Sequence, residues 1–471
     1  MGPSFPPFSL PFTPDPGGAA STRPSPTAQG GPRICIVADN ASTRFGGESF
    51  LPLNYFRLLR RRGLDAWLVV HERVRPELET LLPDDLNRMH FVHDSRLHKL
   101  LFQLGKPLPR RVRDFTTAIA ISLLTQWMQR RIVRSLVRTR TIDVVHQPSP
   151  VSPRAPSLLW DLGAPVVIGP MNGGMEYPPA LRTEESPFTR IFVPLARAFT
   201  GVANVLLPGK RKAAVLLVAN DRTRLALPRS AQTRVVMLVE NGVDLATWDP
   251  GCEIGDPGCA TASPLAEVSP ALPARPKFVF IGSLVDWKGV HFALRALAQV
   301  PEAELHVVGS GPMRASWRNL AYELRIGHRV HFHGWLTQQQ CAEQLRHATA
   351  LVLPSVCECG GAVVLEAMAL GRPVIATQWG GPVDYITADC GILVPPASRE
   401  AMIDGLAQAM QRLASDPALV EAMGAAGRCR LVEHFTWERK IDAILDVYRA
   451  AWNSDGQRPL AEAGIPLPTF P

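Results

Sequence analysis

Two glutamates eight positions apart, Glu358 and Glu366, bracket a pair of glycines in the stretch SVCECGGAVVLEAMALGRPVIA. An apolar run, ALVLPS, precedes the stretch, and a helix-forming run follows, so Gly360 and Gly361 stand where a strand hands over to a helix. Glycines before a helix expose backbone N–H groups at its positive end, which suits an anion. Carboxylates on either side would repel a phosphate, but they accept hydrogen bonds from hydroxyl groups such as those of a ribose or a sugar. A helix-pairing glutamate and an ordinary loop acid would show the same spacing, so the pair gains meaning only from its company. IGSLVDWKGV places Gly282 and Ser283 at a strand end and Lys288 at the start of the next helix, where a lysine can neutralise a diphosphate. HVVGSGP brings Gly309 and Gly311 to a turn after another strand; it lacks the third glycine and downstream acid of a dinucleotide fingerprint. Together these residues suit a phosphorylated, hydroxyl-rich ligand.

The elements that must position them alternate along the chain. ICIVADN, DAWLVVHE, TIDVVHQ, APVVIGP, VLLVAND and RVVMLVE are β-branched, largely apolar runs that predict parallel strands. Between them lie helical patterns, FLPLNYFRLLRRRG and TTAIAISLLTQWMQRRIVRSLVRT among them. A second series runs KFVFIGSL, ELHVVGSGP, RVHFHGW, ALVLPS, RPVIAT and GILVP, again with helices between. Two doubly wound α/β domains are predicted, with ligands in the crevice beyond the strand ends. Residues 32–249 form the first domain and 277–435 the second. The Pro-, Gly- and Ser-rich stretches 1–31, 250–276 and 454–471 are predicted as tail, linker and tail.

At 471 residues the chain is long enough for two such domains, and 46 % hydrophobic with 20 % charged residues describes a folded protein with a sizeable core. The eight cysteines show no framework spacing, only a C-x-C at Cys357 and Cys359, which predicts a reduced, cytoplasmic setting. The first thirty residues lack the basic and apolar regions of a secretory signal, and no apolar run approaches the ~20 residues of a membrane span. From Arg33 to Asp249 there are 31 Lys and Arg against 19 Asp and Glu; the remainder carries 19 against 23. A basic first half suits an anionic partner. Nucleic acid is not expected, because no interleaved aromatics or known binding module accompany the charge. The cluster His328, His331 and His333 invites a metal, but no acidic or cysteine partner sits close in sequence, so it is assigned a structural role.

Taken in order, a Gly-Gly loop after the first strand (Gly46, Gly47), DVVH (Asp143 to His146), NGVD (Asn241 to Asp244), GS-x4-KG, VGSGP and E-x7-E running into EAMALGRPVIAT resemble glycosyltransferase family 4, retaining transferases of GT-B fold. The resemblance covers most of Arg33 to Trp452. It implies transfer of a sugar from a nucleotide-sugar donor with retention of anomeric configuration, needing no cofactor and no bound metal; no D-x-D follows a strand here. It implies Lys288 at the donor diphosphate and Glu358 at the transferred sugar, beside amides of Gly360 and Gly361. Glu366 would hold the nucleotide ribose, and Gly282, Ser283 and Gly309 would line the donor. Gly46 and Gly47 would approach the phosphates from the other domain, and His146 would act near the reacting sugar. The segment 436–453 would cross back onto the first domain as a helix.

Three positions depart from the family's pattern. Ser283 stands where an arginine is frequent, with Arg372 or an arginine of the first domain expected to replace it. Gly360 replaces an aromatic residue and is expected to loosen the donor loop. Asp384 stands where a glutamate is common. The ECGG form, with HQPSPVSP and GPMNGGMEYPP, resembles a subgroup linked to bacterial surface polysaccharide assembly. That implies a glycan or polyprenyl-diphosphate-linked acceptor, and the arginines 130, 131, 134, 138 and 140 are expected to meet it at an anionic membrane surface, with the protein peripheral to the inner face. A GT-B epimerase of sugar nucleotides and a non-catalytic sugar-nucleotide binder fit the same residues.

Overall fold

The computed structural model describes residues 31–108, 112–113, 116–185, 199–248 and 275–453. The tails and the linker expected from composition lie, apart from residues 31, 275 and 276, outside the described residues. Thirteen strands among the described residues form two sheets, and every strand pair is parallel.

The first sheet contains β1 (Ile34–Val37), β2 (Ala66–His71), β3 (Met89–Val92), β4 (Val144–Gln147), β5 (Val166–Met171), β6 (Val215–Val218) and β7 (Val235–Met237) in the order β3-β2-β1-β4-β5-β6-β7. Its central strands are buried on both faces, as their largely apolar sequences require, with His71 closing β2 and His146 and Gln147 closing β4. Sequence patterning misses only β3, a four-residue edge strand (MHFV) whose middle is half-buried. The second sheet contains β8 (Lys277–Ile281), β9 (Glu304–Val308), β10 (Val330–Gly334), β11 (Ala350–Leu353), β12 (Val374–Thr377) and β13 (Gly391–Val394), ordered β10-β9-β8-β11-β12-β13.

The strand order reverses between β1 and β4 in one sheet and between β8 and β11 in the other. Such switch points open crevices at the strand carboxyl ends. The loops leaving β1, β8 and β11 carry Gly46–Gly47, Gly282–Lys288 and Glu358–Gly361, so the topology by itself collects these residues.

A closing helix, Trp437–Asn453, ties the halves together. Trp437, Ile441, Ile444, Tyr448 and Ala451 recur every three or four residues and are all buried in the core of the first domain. Each large side chain of that stripe contributes about 1.5–3 kcal/mol through burial. Ion pairs of Arg57 with Asp244 and of Arg62 with Asp442 flank the first helix, Gly47–Arg61, against which the closing helix packs. The chain crosses between domains beside a bridge of Val243 and Thr436, where Val243 N–H donates to the Phe435 carbonyl at 2.9 Å. No helix among the described residues is long and apolar enough to cross a membrane.

Candidate functional site

The loop after β11 is built from its glycines upward. Gly361, at φ +75°, lets the chain turn from β11 into the helix Ala362–Ala369, and no side chain caps that helix. The N–H groups of Ala362 and Val363 are therefore open to an anion, while that of Val364 donates to the Gly361 carbonyl at 2.9 Å. Glu358 sits just ahead of the turn, ion-paired with Lys288; the two side chains are 12 % and 18 % exposed. Lys288 arrives from the loop after β8, its stem beside Gly282. Gly309, at φ +132°, leaves β9 so close to Gly282 that any Cβ would lie 1.9 Å from the Gly282 carbonyl oxygen. Ser283 is exposed at the same strand end.

Glu366 lies one and a half turns into the helix. Its carboxylate has no hydrogen bond or ion pair among the described residues, and burial pushes it up to about 7. It lines a cavity of about 320 Å³ with Ala362 on one wall and Gly46, Gly47 and Phe50 of the first domain on the other. Asn241, Gly242 and Asp244 of the ENGVD turn complete the wall. The structure thus brings together Lys288, Glu358, Gly361, Gly282 and Gly309 at the helix entrance, and Glu366, Gly46 and Gly47 around the adjoining cavity.

The raised Glu366 fixes a sign. A carboxyl that binds its proton more tightly when folded stabilises the protein fully below pH ~4.3, and that contribution is lost as pH rises to about 7. Glu366→Gln is therefore expected to raise stability at pH 7.5 by roughly 1–2 kcal/mol while weakening nucleotide binding by about tenfold. Urea melts at pH 5 and pH 7.5, with nucleotide titrations, check both signs.

Gly360 does not loosen the loop. A Cβ there would stand 2.5 Å from Asn241 Nδ2 and 3.1 Å from Glu240 Oε2, so an aromatic side chain has no room. Residues of the first domain grip the loop instead: Asn172 Nδ2 and Arg222 Nη2 donate to the Cys359 carbonyl at 2.9 and 3.4 Å. Gly381 N–H donates to the Glu358 carbonyl at 2.8 Å from behind. Glu240 is buried beneath the loop next to Lys440, and desolvation raises the carboxyl and lowers the amine. Asp384 accepts from Asn220 Nδ2 at 2.7 Å across the domain junction, and Trp379 Nε1 donates to the Glu176 carbonyl at 2.8 Å. Asn172, Arg222 and Glu240 were not singled out from sequence. The polar residues directly after β5, β6 and β7 were the available signal, since strand ends of this fold face the cleft.

His146 is not brought to the site. It is fully buried on β4, with Nε2 2.6 Å from the Gly169 carbonyl and Nδ1 2.6 Å from the Tyr448 hydroxyl. The Tyr55 ring stands edge-on at 4.9 Å, and burial lowers the imidazole to about 4. A neutral histidine with both nitrogens occupied pins the closing helix to the first sheet, and the catalytic assignment is corrected accordingly. Tyr448→Phe strands a buried imidazole nitrogen, so unfolding in urea should show a loss of about 1–3 kcal/mol.

Arg372 fails as the substitute for the missing arginine. It is 3 % exposed and donates to the Arg346 carbonyl, away from the loop after β11. Arg222 reaches that loop, but its guanidinium donates to the Gly173 and Cys359 carbonyls and to Asn172 Oδ1. The arginine row on the helix Thr117–Arg140 is also largely committed. Arg130 lies over Trp160 at 4.3 Å and Arg131 over Trp127 at 3.7 Å, while Arg134 donates to the Asp161 carbonyl at 3.1 Å.

Residues 266–430 match the family model of glycosyl transferases group 1. The chain carries a glycosyltransferase group 1 domain. The domain takes in every second-sheet residue discussed above. An uncharacterized glycosyltransferase of Methanocaldococcus jannaschii is 31 % identical over 183 residues, 38 % of this chain and 46 % of that protein. A lipopolysaccharide core biosynthesis glycosyltransferase, LpsD of Rhizobium meliloti, is 34 % identical over 189 residues, 40 % of this chain and 53 % of that one. The chain spans about half the length of the curated relatives it matches. Among solved structures, Anabaena HepE in complex with UDP superposes with a TM-score of 0.58 at 15 % identity, covering 89 % of this chain and 100 % of HepE. HepE has also been solved with UDP-glucose, where the TM-score is 0.57 at 15 % identity, covering 88 % and 99 %. The group 1 domain and the first sheet together form the GT-B fold.

Proposed function

We propose that this protein moves a hexose from a nucleotide-sugar donor to a glycan or lipid-linked acceptor, with retention of configuration. One observation carries the proposal: an unpartnered carboxylate, Glu366, faces Gly46 and Gly47 across a cavity that reaches Ala362, the first residue of the helix whose preceding loop carries Glu358 and its partner Lys288. The ribose hydroxyls would donate to Glu366, and the diphosphate would lie against Lys288 and the free N–H groups after Gly361. Drawing Lys288 onto the diphosphate releases Glu358, which then accepts from hydroxyls of the sugar. As the bond from the anomeric carbon to the diphosphate breaks, charge builds on the leaving oxygen, where the lysine and helix end are already placed. The acceptor oxygen takes its place on the same face, and its proton passes to the departing diphosphate oxygen. With Lys288 and the helix N-terminus supplying positive charge, added Mg2+ or Mn2+ is expected to leave the rate unchanged.

The likeness to a lipopolysaccharide core enzyme, and HepE's complexes with UDP and UDP-glucose, favour a uridine donor and a role in surface glycan synthesis at the cytoplasmic face of a membrane. A melting-temperature screen against UDP-, GDP- and ADP-sugars tests the donor, because a ligand bound only by the folded state raises the midpoint. Product analysis then decides the activity. An epimerised sugar nucleotide, or binding without turnover, would replace the transferase assignment by the epimerase or the binder.

The membrane-facing element is proposed to be the helix Arg96–Gly105. Leu100, Phe102 and Leu104 are 51 %, 60 % and 57 % exposed there, beside Lys99 and Lys106. Apolar side chains ringed by lysines suit an anionic bilayer surface. Flotation should show preference for anionic over neutral vesicles, and Phe102→Ser with Leu104→Ser should cut the bound fraction at least roughly tenfold. Equal binding to neutral vesicles would remove this element from the proposal.

A further inference from the structure

The histidines of GHRVHFHGW gain in the fold the acidic neighbour that they lack in sequence. β10 lies parallel to β9 with His331 directly opposite His306. Glu304, two residues before His306, shares its face, because successive side chains of a strand alternate. Four side chains, Glu304 and His306 from β9 with His331 and His333 from β10, therefore gather on one side of the sheet edge. His306 Nε2 is 3.0 Å from Glu304 Oε1, and His331 Nε2 is 3.7 Å from Glu304 Oε2. One ligand atom from each of Glu304, His306 and His331 lies within 4.8 Å of the others. His306 Nδ1 and His333 Nε2 are 2.9 Å apart.

We infer that Glu304, His306 and His331 form a binding site for a late first-row divalent cation such as Zn2+, with His333 as the orienting partner of His306. Ligands at ~2.1 Å in tetrahedral array stand about 3.4 Å from one another, close to the 3.0 and 3.7 Å that separate the two imidazoles from the two oxygens of the Glu304 carboxylate. Two imidazoles and one carboxylate favour zinc, cobalt, nickel or copper over magnesium or calcium, which prefer oxygen donors throughout. With Nε2 on the metal, His306 would carry its proton on Nδ1 and donate it to His333, the arrangement by which metal-bound histidines are held in orientation. His331 is exposed, so an ion enters from solvent and a water completes the shell.

The charges near the cluster come from three strands and two helices: Arg314 and Arg318 of the helix Arg314–Glu323 line the same pocket as His331 and His333 and oppose a cation, Arg314 being partly held by the Phe332 carbonyl at 3.4 Å. Lys277 on β8 lies opposite Glu304 and opposes a cation, but Gln344 of the helix Gln338–Arg346 holds its amine at 3.0 Å. Glu304 offsets that charge. In a second group, His71, Asp94 and His98, His98 has both nitrogens taken by Ser95 and Thr125, which leaves only His71 Nε2 and the Asp94 carboxylate, 3.3 Å apart. In the edge cluster the imidazoles and carboxylate bond chiefly one another, so a cation replaces contacts among its own ligands. The bound ion would clip the edge strand β10 to β9, whose following turns are already joined by Gly309 N–H donating to the Gly334 carbonyl at 2.7 Å.

The test uses the full chain, stripped with a chelator, desalted and titrated with Co2+ and then Zn2+. One equivalent of Co2+ should give visible d–d bands without thiolate charge transfer, and Zn2+ should displace it and raise the melting temperature. His331→Ala and Glu304→Gln should each weaken binding by more than roughly 100-fold, and His333→Ala by about 10–100-fold. His328→Ala, outside the cluster, should leave the affinity unchanged. Melting of each variant without metal establishes that it folds. Thiolate charge transfer, pointing to the cysteines, or binding that survives His331→Ala and Glu304→Gln would overturn the assignment, as would no binding at equimolar metal.

Discussion

Glu358→Gln is expected to lower transfer by roughly 10²–10³-fold while leaving the protein folded and the nucleotide bound. The loss is of the size seen when a single preorganised group loses its stabilising charge at a reacting centre. Glutamine keeps the shape of the side chain and accepts a hydrogen bond, but it brings no charge to the sugar as the anomeric centre becomes electron-poor. In the free protein Glu358 is ion-paired with Lys288, so its neutralisation also frees the lysine. Nucleotide diphosphate should therefore bind as well as before or more tightly, and the whole loss should fall on kcat. Steady-state kinetics beside a nucleotide titration separates the two effects. A variant with transfer within threefold of the wild type would remove Glu358 from the mechanism.

Lys288→Ala should have an effect of similar size but of different form. A charged hydrogen bond to the diphosphate is worth about 1.5–3 kcal/mol, so affinity for nucleoside diphosphate should fall roughly 10–100-fold. The corresponding monophosphate should be much less affected, because its phosphate does not reach as far along the helix entrance. kcat should fall as well, since the charge on the leaving diphosphate grows in the transition state. Glu358, 12 % exposed, is left without its partner, which should destabilise the folded state by about 1–3 kcal/mol. Lys288→Arg should recover much of the binding. Equal losses for mono- and diphosphate would place the lysine elsewhere on the ligand.

The fold was legible because parallel strands buried on both faces must be largely apolar, and most of the described strands announce themselves in that way, though β10, which exposes His331 and His333, alternates. β3 did not announce itself, being short, half-buried and at an edge. That Gly282, Lys288, Gly309, Glu358 and Gly361 gather in one place was legible because they lie beside glycines at strand ends, where backbone geometry constrains residue type. The misjudged residues depended on partners far away in sequence. A histidine at the end of β4 reads alike whether it faces the cleft or lies under a helix; Tyr448, 302 positions later, decides it. Arg130 and Arg131 read as a basic surface, and the sequence does not show that Trp160 and Trp127 lie beneath their guanidiniums. Gly360 reads as slack until Asn241 and Glu240 are found filling the space of a side chain. Glu304 and His331, 27 positions apart, become neighbours only through the register of two strands.

The most direct measurement is a crystal structure of the protein with UDP or the nucleotide selected by the melting screen. The ribose should lie within hydrogen-bond distance of Glu366, the diphosphate against Lys288 and the amides following Gly361, and Gly46–Gly47 across the cavity from them. A nucleotide bound elsewhere, for example in the larger cavity of about 650 Å³ lined by Asp286, His291 and Arg399, would contradict the account.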